Sequence, residues 1–158
     1  MAVYPSLLAT MPSFSRATGP VLLDGGDMTK FYGYTLGAQG GLTAGAGGTI
    51  AAAISLAYGF NRVTTVASAN DSTILPPAVP GSVVWLKNYA ASNTLRIYAN
   101  QANASNPDSS GNAQADHMVA KGAASTTASS TAITLASGHM TAFICTTLGL
   151  FDQVSDWS

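Results

Sequence analysis

Ser82-Val83-Val84-Trp85-Leu86-Lys87, then Asn88-Tyr89-Ala90-Ala91-Ser92-Asn93, then Thr94-Leu95-Arg96-Ile97-Tyr98, is the stretch that decides the fold. The first segment is a Val-rich run of strand length. The last alternates apolar and polar residues with the period of a strand. The residues between them read as a hairpin-like loop. Upstream, Leu75-Pro76-Pro77-Ala78-Val79-Pro80-Gly81 cannot be an interior strand, because its prolines lack backbone donors. It reads as an extended connector ending in a turn. Arg62-Val63-Thr64-Thr65-Val66 is an alternating, β-branched strand, and Ser68 to Ser72 is a polar turn. Thr49 to Tyr58 is Ala-rich but has no charged helical start, so it reads as a strand.

Downstream, Ala99 to Gly111 is polar and loop-like, and residues 112–130 are Ala- and Ser-rich with weak structure. Ala132-Ile133-Thr134-Leu135 and Met140-Thr141-Ala142-Phe143-Ile144-Cys145 flank Ala136-Ser137-Gly138-His139 and read as a hairpin with a four-residue loop. About eight short strands at this spacing predict an all-β fold, a β-sandwich or jelly roll.

Residues 1–48 differ from the rest. Val21-Leu22-Leu23 is the one short strand expected there, and Phe31-Tyr32-Gly33-Tyr34 is an aromatic cluster. Gly37, Gly40, Gly41, Gly45, Gly47 and Gly48 follow, a density that reads as a linker or irregular loop. The division is therefore an extended N-terminal arm with a Gly-rich linker at 1–48 and a β domain at 49–158. Aromatic anchors are enriched at interfaces. Tyr4, Phe14, Phe31, Tyr32 and Tyr34 are thus the candidate interface residues of the arm.

Only 8% of the 158 residues are charged, against about 25% in an ordinary domain. All seven acidic residues are Asp. So few charges leave a surface poorly protected against association, which points to a protein that lives packed in an assembly. Arg16, Lys30, Arg62, Lys87, Arg96 and Lys121 are scattered and the net charge is −1, so no nucleic-acid partner is expected. No run reaches the roughly 18 apolar residues of a bilayer span, so no membrane partner is expected. Met1-Ala2-Val3-Tyr4-Pro5 lacks the features of a secretory signal. Cys145, the single cysteine, sits in an apolar run and reads as a buried small hydrophobe, fitting a reducing cytoplasm.

The chemistry-bearing residues form no constellation. His117 and His139 are the only histidines, and their spacing suggests no third metal ligand. They read as exposed loop residues. Asp116 and His117 are adjacent, so on a strand they would face opposite ways. Asp24, Asp27, Asp71, Asp108, Asp116, Asp152 and Asp156 all read as turn or terminal residues, where Asp bonds local backbone. The glycines at 37–48 are followed by no Gly-Lys-Ser or Gly-Lys-Thr, so they are no phosphate loop. No catalytic residue, metal or cofactor is expected, and the chain reads as no enzyme. Trp85 reads as core or interface rather than a sugar-stacking platform.

Asn70-Asp71-Ser72-Thr73-Ile74-Leu75-Pro76-Pro77-Ala78-Val79-Pro80-Gly81, with the Val-rich strand ending at Asn88, Leu95-Arg96-Ile97-Tyr98, and Ala136-Ser137-Gly138 before Ala142-Phe143-Ile144-Cys145, resembles a β domain that recurs in tailed-bacteriophage structural proteins. The resemblance covers roughly residues 49 to 151. Gly149-Leu150-Phe151 stands where that module often has Gly-x-Trp. It implies a virion structural protein, most concretely a capsid decoration or cement protein. Such a protein is made in the host cytoplasm and sits on the outer capsid surface. Its implied partners are the major capsid protein and copies of itself, a trimer over a dimer. The alternative is a tail-associated or fibre module that binds a receptor or glycan, which Trp85, Tyr89 and Tyr98 exposed on one face would favour.

Overall fold

The structure, a computed structural model, describes residues 37–158. The arm, its Val21–Leu23 strand and the candidate interface residues Tyr4, Phe14, Phe31, Tyr32 and Tyr34 lie outside the described residues.

Twelve strands run in chain order: β1 (Ala38–Thr43), β2 (Ile54–Ser55), β3 (Gly59–Thr65), β4 (Ser72–Ile74), β5 (Val83–Asn88), β6 (Leu95–Tyr98), β7 (Asn103–Pro107), β8 (Ala113–Gln114), β9 (His117–Val119), β10 (Ile133–Leu135), β11 (Met140–Thr147) and β12 (Leu150–Trp157). They form a six-stranded sheet in the order β1-β3-β5-β11-β12-β9, a four-stranded sheet in the order β10-β6-β4-β2, and the small pair β7-β8. Alternation explains why both large sheets face one core. In β5, Val84, Leu86 and Asn88 point inward and are buried, while Val83, Trp85 and Lys87 point out. Val63, Phe143, Cys145 and Phe151 of the first sheet join Leu95, Ile97, Ile133 and Leu135 of the second in one buried cluster. Phe143 and Phe151 meet edge to face at 6.5 Å. The fold is therefore the all-β sandwich that the strand pattern predicts. A jelly roll is built from antiparallel strands. Here β1, β3 and β5 run parallel, as do β2, β4 and β6.

That parallel order corrects several expectations. From β1 to β6 the chain alternates between the sheets, so each connection is an arch and not a hairpin. Residues 89–94 join β5 in one sheet to β6 in the other, and 136–139 join β10 to β11 in the same way. The expected hairpins are absent because both flanking strands bury alternate residues in the core from opposite sides. Thr49 to Tyr58 is not one strand. It holds a 3-10 turn, Ile50–Ala52, capped by Thr49 Oγ1, before the short β2. Residues 112–130 hold only the short β8 and β9, yet β9 places Met118 in the core.

The Gly-rich linker is corrected too. Residues 38–43 are an edge strand, and the described residues belong to one compact unit. The glycines there serve close approach. A Cβ on Gly45 would lie 1.7 Å from the Ala52 carbonyl oxygen, and one on Gly59 would lie 2.3 Å from that of Gly37. The domain boundary expected at residue 49 thus falls inside the sandwich.

The turn before β4 is organised by Asp71, which is buried. Its carboxylate accepts from the Ala67 and Ser68 amides, at 2.7 and 3.1 Å, and from Ser68 Oγ at 2.8 Å. The Ser68 hydroxyl foremost, then the backbone amides, hold its pKa below the ordinary Asp value. A depressed folded pKa contributes stability that is complete above the unfolded value and is lost as pH falls through the folded one. The urea midpoint is therefore expected to fall on acidification from about pH 5 to about pH 2. Asp71→Asn should start lower and lose less over that interval. An unchanged acid dependence in Asp71→Asn would remove Asp71 from this role.

Candidate interaction face

The outward residues of the six-stranded sheet follow from its register. Phe60 pairs with Trp85, and Trp85 with Ala142. Arg62 pairs with Lys87, Lys87 with Met140, and Met140 with Trp157. Val83 pairs with Ile144, and Ile144 with Asp152. The aromatic members form a ladder. Phe60 and Trp85 stack with centroids 5.6 Å apart and planes 17° apart, and Trp85 and Trp157 do so at 5.6 Å and 20°.

Ala142 makes the second stack possible. It lies on β11 between the two tryptophan-bearing strands and is completely buried, although it belongs to the outer face. The indoles of Trp85 and Trp157 therefore meet across a residue with only a methyl group. A larger side chain there would part them. Phe60 and Trp157 are still 44% and 43% exposed.

The near-parallel planes and 5.6 Å separations are those of offset stacking, with Trp85 between Phe60 and Trp157. A sugar-stacking platform needs an open ring face, and an aromatic neighbour on either side leaves Trp85 less of one. Tyr98 does not join the face at all. It is buried, and its hydroxyl donates to the Gly48 carbonyl at 2.7 Å. Tyr89 is 57% exposed, with the Arg62 guanidinium 4.1 Å from its ring centroid.

No protein-family model matches the chain, and no curated protein or solved structure does. The face must be read on its own chemistry. It is an apolar band with charge at its corners, a pattern suited to covering by another protein surface.

The remaining polar groups are placed as follows. His117 is exposed on β9 while Asp116 is buried, so the adjacent pair does face opposite ways. His139 Nδ1 lies 3.0 Å from Asp156 Oδ1. Asp152 and Asp156 stand on β12 and not in turns. Asp116 is no turn residue either. Its Oδ2 accepts from the Ala78 amide at 2.7 Å and its Oδ1 from Asn103 Nδ2 at 2.8 Å. Cys145 is buried as expected, and that burial pushes its thiol pKa up. A depression of about 430 Å³ is lined by Lys121, Thr127, Thr134, Gln153 and Asp156 among others. Gln153 there is bound to the Lys121 amide and to Thr141 Oγ1, so its amide is already committed at both ends. Among the described residues, no three His, Cys, Asp or Glu side chains come together as metal ligands do, and no helix is long and apolar enough to cross a membrane.

Two ladder members were not legible as functional residues in the sequence. Phe60 lies two residues before Arg62, so carrying that strand's alternation one step back places it on the same face. Trp157 had no such signal, because its strand pairing is set by β11.

Proposed function

We propose that this chain is a non-enzymatic virion structural subunit whose outer sheet face is covered in the assembly. In its most concrete form it is a capsid decoration or cement protein that binds the outer shell and stabilises contacts between major capsid protein subunits. The observation that carries the reading is the Phe60–Trp85–Trp157 ladder, left partly in solvent. The low charge of the chain and the resemblance of residues 49–151 to a phage β domain support it. A subunit that binds the assembled shell and not its loosened form stabilises the shell by mass action. Many copies make modest single contacts sufficient. The glycan-binding alternative has less support, because Trp85 stacks between two other rings and Tyr98 is buried.

The test is the copy number of this chain relative to the major capsid protein in purified virions, by quantitative mass spectrometry. A ratio near one, or a fixed simple fraction with hundreds of copies, is expected. A few to a few dozen copies would move the protein to the tail, and its absence from virions would overturn the structural reading.

A further inference from the structure

The charges on the ladder face lie at opposite corners. Asp152 is on β12, in the row of Val83 and Ile144. Arg62 and Lys87 are register partners on β3 and β5, at the other end of the face. The ladder and Ala142 run between the two corners. Each charge has a neutral neighbour. Arg62 lies over the Tyr89 ring, Lys87 donates to the Gly138 carbonyl, and Asp152 accepts from Thr146 Oγ1. Among the described residues none of the three has a partner of opposite charge, and the one ion pair is His139–Asp156.

Such a face is complementary to itself. A two-fold axis lying in the plane of contact, crossing the diagonal near Trp85 and Ala142, brings each acidic corner over the other copy's basic corner. It also lays one ladder against the other, covering the edges that a single copy leaves wet. We propose that the outer face of the six-stranded sheet is the contact between two copies of this chain, with Asp152 of each copy set against Arg62 and Lys87 of the other. The inference rests on the reading of this face as one covered in an assembly, and it names the cover. A self-complementary patch closes with two copies, whereas a three-fold ring needs two different surfaces. The pairing therefore replaces the trimer that the resemblance implies, and it leaves the rest of the surface for a shell.

Four strands about 4.8 Å apart give a face roughly 20 Å across. That is at the small end of specific interfaces, which bury about 800 Å² on each partner. Pairing is thus expected to be concentration-dependent, with monomer and dimer both present across the micromolar range.

The experiment is sedimentation equilibrium of the full chain and of charge-swapped variants. Asp152→Arg, and the basic-corner swap Arg62→Asp with Lys87→Glu, each set like charges against each other at both corners of the dimer, and each is expected to weaken dimerisation by about tenfold or more. The triple variant Asp152→Arg, Arg62→Asp, Lys87→Glu restores opposite charges at both corners and should recover most of the loss. All three positions are on the surface, and circular dichroism verifies the fold. A chain that stays monomeric at every concentration would overturn the proposal, as would a dimer indifferent to the swap at either corner or a triple variant no better than either swap alone. A monomer found in hundreds of copies per virion would sink the pairing and leave the structural reading standing. A swap-sensitive dimer absent from virions would do the reverse.

Discussion

Asp116→Ala is expected to cost the fold about 3 kcal/mol, since it strands buried donors that each carry a penalty of about 1–3 kcal/mol. Asp116 is completely buried, and each of its two oxygens accepts one hydrogen bond. The first fixes the Ala78 amide, in the middle of the proline-rich connector that carries the chain from β4 to β5. The second fixes Asn103, itself completely buried, whose amide also donates to the Ala78 carbonyl at 3.2 Å and accepts from the Ser105 amide at 2.9 Å. Asp116, Asn103 and Ala78 thus close a ring that ties the connector to β7 and β9. Alanine at 116 leaves the Ala78 N–H without its acceptor and the Asn103 amide with one of its two. The thermal midpoint should drop by roughly 10 °C.

Asp116→Asn sharpens the test. An amide has one acceptor oxygen, so its NH₂ must face either the Ala78 N–H or Asn103 Nδ2, donor against donor. Asn103 cannot relieve this by turning its own amide, because Nδ2 and Oδ1 are both used elsewhere. The near-isosteric change should therefore cost almost as much as alanine. Asp108→Ala, at an exposed turn, is the control and should cost a fraction of that. Wild-type stability in Asp116→Asn, measured by urea unfolding, would mean that the carboxyl group is not needed as a double acceptor.

Asp116 also marks the limit of what the sequence discloses. Its neighbours Ala115 and His117 look like the rest of a polar, Ala-rich stretch, and nothing local separates it from Asp108, which does sit in a turn. Its partners are Ala78 and Asn103, far away in the chain, and only the fold brings them together. The strand cores were legible for the opposite reason. Val83–Asn88 and Leu95–Tyr98 carry their burial in their own alternation. The same alternation does not say which strand lies next door. A loop of four residues between two strands reads the same whether it turns back within a sheet or arches across to the other one. The glycines at 37–48 misled for a related reason. Glycine marks flexible chain and tight packing alike, and the contact that decides between them, Gly45 against Ala52, is a property of the fold. The ladder was half legible. Trp85 stood out as core or interface, and its stacking partners came from strands whose register no local pattern fixes.

The arches themselves predict the second large effect. Asn88 ends β5 and is completely buried at the place where two of them pass. Its Nδ2 donates to the Asn93 and Leu135 carbonyls, both at 3.1 Å, and its Oδ1 accepts from the Ala90 amide at 3.3 Å. Its backbone N–H and C=O meet the His139 carbonyl and the Gly138 amide. One residue thus holds the β5–β6 arch through its side chain and the β10–β11 arch through both side chain and backbone. Asn88→Ala strands two carbonyls and an amide, and should cost about 2–4 kcal/mol. Asn88→Asp keeps the size and puts a carboxylate against those two carbonyl oxygens, so at neutral pH it should cost more than alanine. The sign with pH follows. Buried against acceptors, the new carboxyl has a folded pKa above its unfolded value, because only the protonated form can donate. Between the two values the folded state holds the extra proton, so stability declines as pH rises from the unfolded value, about 4 for Asp, up through the folded one. Urea midpoints of Asn88→Asp should therefore fall behind those of Asn88→Ala as pH rises above about 4 and recover as pH is brought back down to it. A constant difference between the two variants across that range would mean that the side chain at 88 does not sit against the carbonyls of both arches.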